Sequence, residues 1–152
     1  ENDRLVELNM SNQNITELPE NLGYLAELKI LEFKNNQIIT IPNSIEFLVN
    51  LDSLDLSNNN LTHLSTGFSE LEDLNLLNLS GNDIENYPTV IDSIFSLNIL
   101  NLSNNNIQFV SDNINNLENL YSLNLSNNNI EQFSGDLSSL ININYLKKVL
   151  SL

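Results

Sequence analysis

The chain has 152 residues, 41% of them hydrophobic, with 20 Asp and Glu against five Lys and Arg, a formal net charge of −15. That is enough for one domain with a sizeable core, while the charge repels nucleic acid and anionic membrane surfaces and suits a solvated acidic surface or a basic partner. The absence of cysteine excludes disulfides, thiolate metal sites and cysteine nucleophiles together, and no apolar run approaches the ~20 residues that a membrane-spanning helix needs.

Apolar residues recur in a frame of 23 residues that opens at Leu5, Leu28, Leu51, Leu74, Leu97, Leu120 and, more weakly, Ile143. A fixed period in this range points to a solenoid, in which each unit buries its leucines against its neighbours. In the first unit, Glu1, Asp3, Arg4 and Glu7 surround the first strand and are expected to shield by charge an end that has no capping helix. Gln13 holds the ninth place and Leu18-Pro19 closes the unit's first half. The second unit carries Ile30, Glu32 and Lys34 at alternating positions, Asn36 at the ninth place and Ile41-Pro42.

The third unit, residues 51–73, shows the pattern most fully. Leu54 and Leu56 alternate with Ser53, Asp55 and Ser57, which is strand periodicity. Asn58, Asn59 and Asn60 form a turn that tolerates unusual backbone angles. Leu61 and Leu64 return inward, and Phe68 and Leu71 predict a helical or 3₁₀ turn with its apolar side down. Residues at the third, fifth and seventh places are therefore expected on the exposed face of a parallel sheet. The fourth unit places Leu76 and Asn78 there, the fifth Ile99 and Asn101, and the sixth Ser122 and Asn124, with Tyr121 beside them. The ninth-place residues Asn36, Asn59, Asn82, Asn105 and Asn128 carry both donors and an acceptor and are expected to form a hydrogen-bonded structural ladder at the bends. After the sixth unit two registers compete. Ile143 and Leu146 keep the frame, but a four-residue slip after a helical stretch over 137–146 would make Leu150 and Leu152 the strand core, with Lys147 and Lys148 beside it; the slip is the expected arrangement.

The consensus LxxLxLxxNxLxxLPxxLxxLxx resembles the leucine-rich repeat family and is similar to the 23-residue class of Ras-pathway scaffold and bacterial repeat proteins. Leu18-Pro19, Ile41-Pro42 and Tyr87-Pro88 match that class's Leu-Pro step, with the proline expected at the first position of the helical turn. Ser65, Ser111 and Ser134 stand there in the other units, where serine can cap the turn. The resemblance spans residues 5–140. It implies an α/β curved horseshoe with a concave parallel sheet of 6–7 short strands and helical or 3₁₀ turns on the convex side, as a single domain over residues 1–152.

In such a fold the concave strand positions meet the partner. Ile30, Leu76 and Ile99 interrupt a small polar face, and with Tyr121 they are candidate anchors; they are equally the kind of residue that pairs well across strands. Glu32, Asp52 and Asp55 form an acidic patch suited to a basic peptide or simply to water. Asn78 and Asn101 complete the candidate face. No catalytic, metal or cofactor set is expected: His63 is the single histidine, and Glu70, Glu72, Asp73, Asp83 and Glu85 lack the spacing of a calcium loop. The expectation is a non-catalytic, monomeric protein-binding module with a protein partner and no nucleic-acid or membrane-inserted role. The alternatives are the targeting domain of a larger signalling enzyme, and a bacterial surface or secreted protein that binds a host molecule. Six Asn-x-Ser/Thr sequons, at Asn9, Asn14, Asn60, Asn78, Asn101 and Asn124, read as by-products of the strand motif. Together with the missing cysteines they favour a cytoplasmic setting.

Overall fold

The computed structural model describes residues 4–133 and 145–147. Every unit supplies one three-residue strand: β1 (Glu7–Asn9), β2 (Ile30–Glu32), β3 (Ser53–Asp55), β4 (Leu76–Asn78) and β5 (Ile99–Asn101), then β7 (Ser122–Asn124) and β9 (Tyr145–Lys147). These seven form one parallel sheet in chain order. Between them, β6 (Phe109–Val110) and β8 (Gln132–Phe133) make a separate two-stranded parallel pair. On the opposite side, among the described residues, run five 3₁₀ turns of five residues, η1 (Glu20–Tyr24), η2 (Asn43–Phe47), η3 (Thr66–Glu70), η4 (Thr89–Ser93) and η5 (Asp112–Asn116). These turns are bulkier than the ~4.8 Å between strands, so the stack bends toward the sheet.

The register is the sequence period made physical. Leu31, Leu54, Leu77, Leu100 and Leu123 are successive Cα partners, 23 residues apart. The strand pleat turns each of them inward, where all five are fully buried. Each such leucine contributes roughly 1.5–3 kcal/mol of transfer free energy. They join Phe68, Ile91, Ile114 and the first-place leucines from Leu28 to Leu120 in one continuous core.

The final strand keeps the frame rather than the expected four-residue slip. Leu146 is the register partner of Leu123 and Lys147 that of Asn124, so Lys147 lies within the strand and not beside it. Parallel pairing passes the same register from strand to strand, and this outweighs the local resemblance of Leu150-Ser151-Leu152 to a core strand. Leu150, Leu152 and Lys148 lie outside the described residues, as does Ser134.

The Leu-Pro step also differs from expectation. Pro19, Pro42 and Pro88 stand one residue before each 3₁₀ turn, in extended conformation with φ between −66° and −78°, as do Ser65 and Ser111. Proline fits because its fixed φ suits the extended entry residue, and its missing N–H is not needed there. Ser111 accepts a hydrogen bond from the Asn113 backbone N–H at 3.1 Å. Ser65 makes no such cap; its hydroxyl donates to the Pro42 carbonyl at 3.4 Å.

At the other end, Arg4 pairs with Glu27, yet Leu5 and Val6 remain 47% and 50% exposed. The charges at this end therefore shield the first strand only in part. Glu1 and Asp3 lie outside the described residues.

The eighth place of each unit, just before the buried asparagine, adopts a left-handed backbone: Asn12, Asn35, Asn58, Asn104 and Asn127 have φ between +54° and +62°, and Gly81 has +67°. Asparagine and glycine are the residues that tolerate this conformation. Outward-facing amides link neighbouring units, with Asn35 donating to Asn12 at 3.0 Å, Asn58 to Asn35 at 2.9 Å and Asn127 to Asn104 at 2.7 Å. Gly81 interrupts this row, and a Cβ there would stand 2.3 Å from Asn58 Oδ1. Gly81→Ala is expected to lower stability by about 1–2 kcal/mol through left-handed strain. Gly81→Asn is expected to lose less, because its amide can join the row. Thermal denaturation of the two variants checks the order, and an alanine variant at least as stable as the asparagine variant contradicts it.

Candidate functional site

The concave sheet carries two columns, the third and fifth places, that vary between units. At the third place stand Glu7, Ile30, Ser53, Leu76, Ile99 and Ser122, and at the fifth Asn9, Glu32, Asp55, Asn78, Asn101 and Asn124. From Ile30 onward every residue of both columns is half-buried. The strand alternation that buries the fourth place forces the third and fifth onto the open face.

Leu76 and Ile99 are direct register partners on β4 and β5. Tyr121, 40% exposed, immediately precedes Ser122, the partner of Ile99 on β7. Leu76 and Ile99 thus form one apolar pair, with Tyr121 one residue outside their column. Ile30 sits apart from it, separated by Ser53 on β3. Glu32 and Asp55 are register partners too, so two carboxylates face the groove one strand apart. Among the described residues Arg4 pairs with Glu27, at the edge, and no lysine or arginine bridges Glu32 or Asp55.

The fifth-place side chains have a second task that the sequence alone did not suggest. Asn78 Oδ1 accepts from the Ser80 N–H at 3.2 Å and from its hydroxyl at 2.8 Å. Asn101 does the same with Ser103, at 3.1 and 2.8 Å, and Asn124 with Ser126, at 3.1 and 2.8 Å. Asp55 Oδ1 accepts from the Ser57 N–H at 2.8 Å. Each is a side-chain turn that ends the strand. The seventh-place serines therefore fold inward: Ser57, Ser103 and Ser126 are buried rather than exposed on the concave face as expected. The motif Asn-Leu-Ser is thus a hydrogen-bonded unit, which accounts for the sequons at Asn78, Asn101 and Asn124. The one consistent sign in the sequence was that this column is nearly all serine, with Lys34 the exception.

Because Oδ1 is committed to serine donors, the amide orientation is fixed and Nδ2 turns to the groove. Asn78 Nδ2 donates to Asp55 Oδ2 at 3.2 Å, and Asn9 Nδ2 donates to Glu32. Asn101 and Asn124 leave Nδ2 without a partner among the described residues.

The ninth-place asparagines lie behind this face and are buried. Asn82 is representative: its Oδ1 accepts from the Leu61 N–H at 3.0 Å, and its Nδ2 donates to the Leu56 and Leu79 carbonyls, each at 3.0 Å. Asn36, Asn59, Asn105 and Asn128 repeat this arrangement, each joining its own unit to the one before. They are closed to a ligand. His63 is exposed beside Thr62, and no group of three or more His, Asp or Glu side chains converges among the described residues.

One buried polar pair was not foreseen. Tyr87 replaces the usual aliphatic residue before Pro88, and its hydroxyl donates to Asp92 Oδ1 at 2.7 Å, both residues being 5% exposed. Asp92 Oδ2 has no hydrogen-bond partner among the described residues. Burial pushes the Asp92 carboxyl above its ordinary range, although the Tyr87 hydrogen bond pulls the other way; burial, then the Asp92 charge and hydrogen bond, pushes the Tyr87 phenol well up. A carboxyl raised in the folded state contributes stability that is complete below its unfolded value and is lost as pH rises through the folded value. Asp92→Asn is therefore expected to raise the Tm at pH 7 by a few degrees and to lose that advantage as the pH is lowered toward 4. Equal Tm differences at both pH values would contradict it.

Family models described as leucine rich repeat match residues 3–61 and 42–84, and a further one matches residues 119–142. No curated protein sequence matches the chain. Among solved structures, a leucine-rich repeat protein of Leptospira interrogans is similar with a TM-score of 0.90 and 34% identity, over 94% of this chain and 36% of that one. The plant peptide hormone receptor RGFR1 in complex with RGF2 gives 0.72 and 33%, over 86% of this chain and 22% of that one. The leucine-rich ectodomain of the receptor kinase SOBIR1 from Arabidopsis thaliana gives 0.70 and 26%, over 84% and 71%. The chain thus spans about a third or less of the length of the first two. No helix among the described residues is long and apolar enough to cross a membrane.

Proposed function

Because the chain belongs to the leucine-rich repeat family, we propose that it is a non-catalytic interaction module that holds a protein partner on its concave face. The observation that carries this reading is the apolar pair Leu76–Ile99, with Tyr121 next to Ser122, on a sheet face built mostly from Asn, Ser and carboxylates. Adjacent apolar groups on a polar groove supply the desolvated centre that an interface needs, with a polar rim around it. The Glu32–Asp55 pair, which no lysine or arginine bridges among the described residues, favours a partner that brings positive charge to that end. The relative in complex with RGF2 supports reading a fold of this kind as a platform for a peptide or protein. The receptor-kinase ectodomain supports a second reading, in which the repeats serve as the recognition part of a larger signalling enzyme.

Affinity capture with the wild type and with the double variant Leu76→Glu/Ile99→Glu tests the proposal. The double variant is expected to fold and to lose the captured partner. Leu76→Ser/Ile99→Ser provides a gentler form, since Ser53 and Ser122 already occupy the same column. A partner retained by both folded variants removes the concave face from consideration.

A further inference from the structure

The fifth-place column is polarised along the stack. Its register runs Glu32, Asp55, Asn78, Asn101, Asn124, so formal charge passes from two negatives to three neutral amides. Hydrogen bonding follows the same direction. At the early end the groove offers carboxylate acceptors. At the late end Asn101 and Asn124 offer Nδ2 donors that the serine turns leave over. Between them lie Leu76 and Ile99.

Resting on the concave-face reading, we infer that this groove binds an extended peptide in one direction, as a C-terminal tail whose carboxylate meets the Asn101 and Asn124 amides and whose upstream basic side chain meets Glu32 and Asp55. Spacing sets the separation. The acidic pair and the amide pair are three strand intervals apart, or about 14 Å at ~4.8 Å each, which an extended chain covers in about four residues. The Leu76–Ile99 pair lies about 10 Å from the acidic pair, or about three residues. The preferred tail therefore carries Arg or Lys four residues before its C-terminus and an apolar residue next to last. The opposite polarity would set the tail's carboxylate against Glu32 and Asp55, where like charges repel.

Fluorescein-labelled peptides of the form GGXXXXX, each as free acid and as C-terminal amide, test this by anisotropy. Wild-type protein is expected to select basic–apolar tails and to bind the acid at least about tenfold more tightly than the amide, since charge-assisted hydrogen bonds are the stronger kind. Asn101→Asp/Asn124→Asp retains the strand-ending turn, because Asp55 already performs it in the third unit. That variant is expected to lose or invert the preference for the acid with its Tm unchanged. Equal binding of acid and amide by the wild type, still abolished by Leu76→Ser/Ile99→Ser, overturns the directional inference and leaves the concave-face reading in place. Peptide binding that survives Leu76→Ser/Ile99→Ser overturns both, whereas a pool without a binder overturns the peptide inference and leaves the concave-face reading in place.

Discussion

Asn82→Ala is expected to lower stability by about 3 kcal/mol, because it strands one buried backbone N–H, which alone costs about 1–3 kcal/mol, and takes one of two donors from each of two buried carbonyls. The Leu61 N–H loses its acceptor, while the Leu56 carbonyl keeps only the Asn59 amide and the Leu79 carbonyl only the Asn105 amide. Water cannot substitute readily, since Leu56, Leu61 and Leu79 are all at most 1% exposed. For a chain of this length the loss corresponds to a fall in Tm of roughly 10 °C. Asn78→Ala is the informative comparison. It removes the turn with Ser80 and the contact to Asp55, but at a half-buried position that solvent reaches. A cost of about 1 kcal/mol is expected there. Equal shifts in the two thermal melts would show that the ninth-place column has no special structural role.

Phe68→Ala is expected to cost about 4 kcal/mol, close to the limit of what a domain with 5–15 kcal/mol of stability survives. Phe68 is fully buried, and the eighteenth place that it fills holds Leu22, Ile45, Ile91 and Ile114 in the other units. The third unit alone uses a ring there. It follows Gly67, where a Cβ would meet the Asn43 carbonyl oxygen at 2.3 Å, so the backbone of η3 lies against η2 and leaves no room for collapse into the gap. Phe68→Ile, which copies the neighbouring units, is expected to retain more than half of the lost stability. Chemical denaturation of the two variants checks both values; an alanine variant within 1 kcal/mol of wild type would contradict the packing argument.

The stack was legible in the sequence because its period is carried by leucines whose spacing admits one arrangement. Leu54 and Leu56 alternate as a strand must, and Phe68 and Leu71 are spaced as a turn must be. The fine structure of the asparagine turn was not legible. Asn58, Asn59 and Asn60 are chemically identical, yet the first is left-handed, the second is buried and the third is exposed. Only position relative to the sheet separates them. A partial signal existed in Gly81, since a glycine in a column of asparagines marks a positive φ. The seventh-place serines were hidden for a related reason: simple alternation puts them outside, and the side-chain turn from Asn78, Asn101 or Asn124 pulls them in. The terminal strand follows the register inherited from β7 and not the local pattern Leu150-Ser151-Leu152, because pairing with a neighbouring strand outweighs a short apolar alternation. Tyr87 and Asp92 gave no sign at all, being five residues apart across a proline.

On the concave face the leucines are silent and the variable places speak. Ile30 is isolated, whereas Leu76 and Ile99 are register partners, a difference that depends on which residues share a register and not on their identity. The central claim is that the places that make the stack and the places that meet a partner are separate. It is tested most directly by measuring thermal stability and partner affinity together for Leu76→Ser/Ile99→Ser and for Asn82→Ala. The separation predicts a serine variant that melts within a few degrees of wild type and has lost the partner, and an asparagine variant that melts far lower yet, below its Tm, binds with wild-type affinity. Two variants that lose stability and affinity in the same proportion would contradict it.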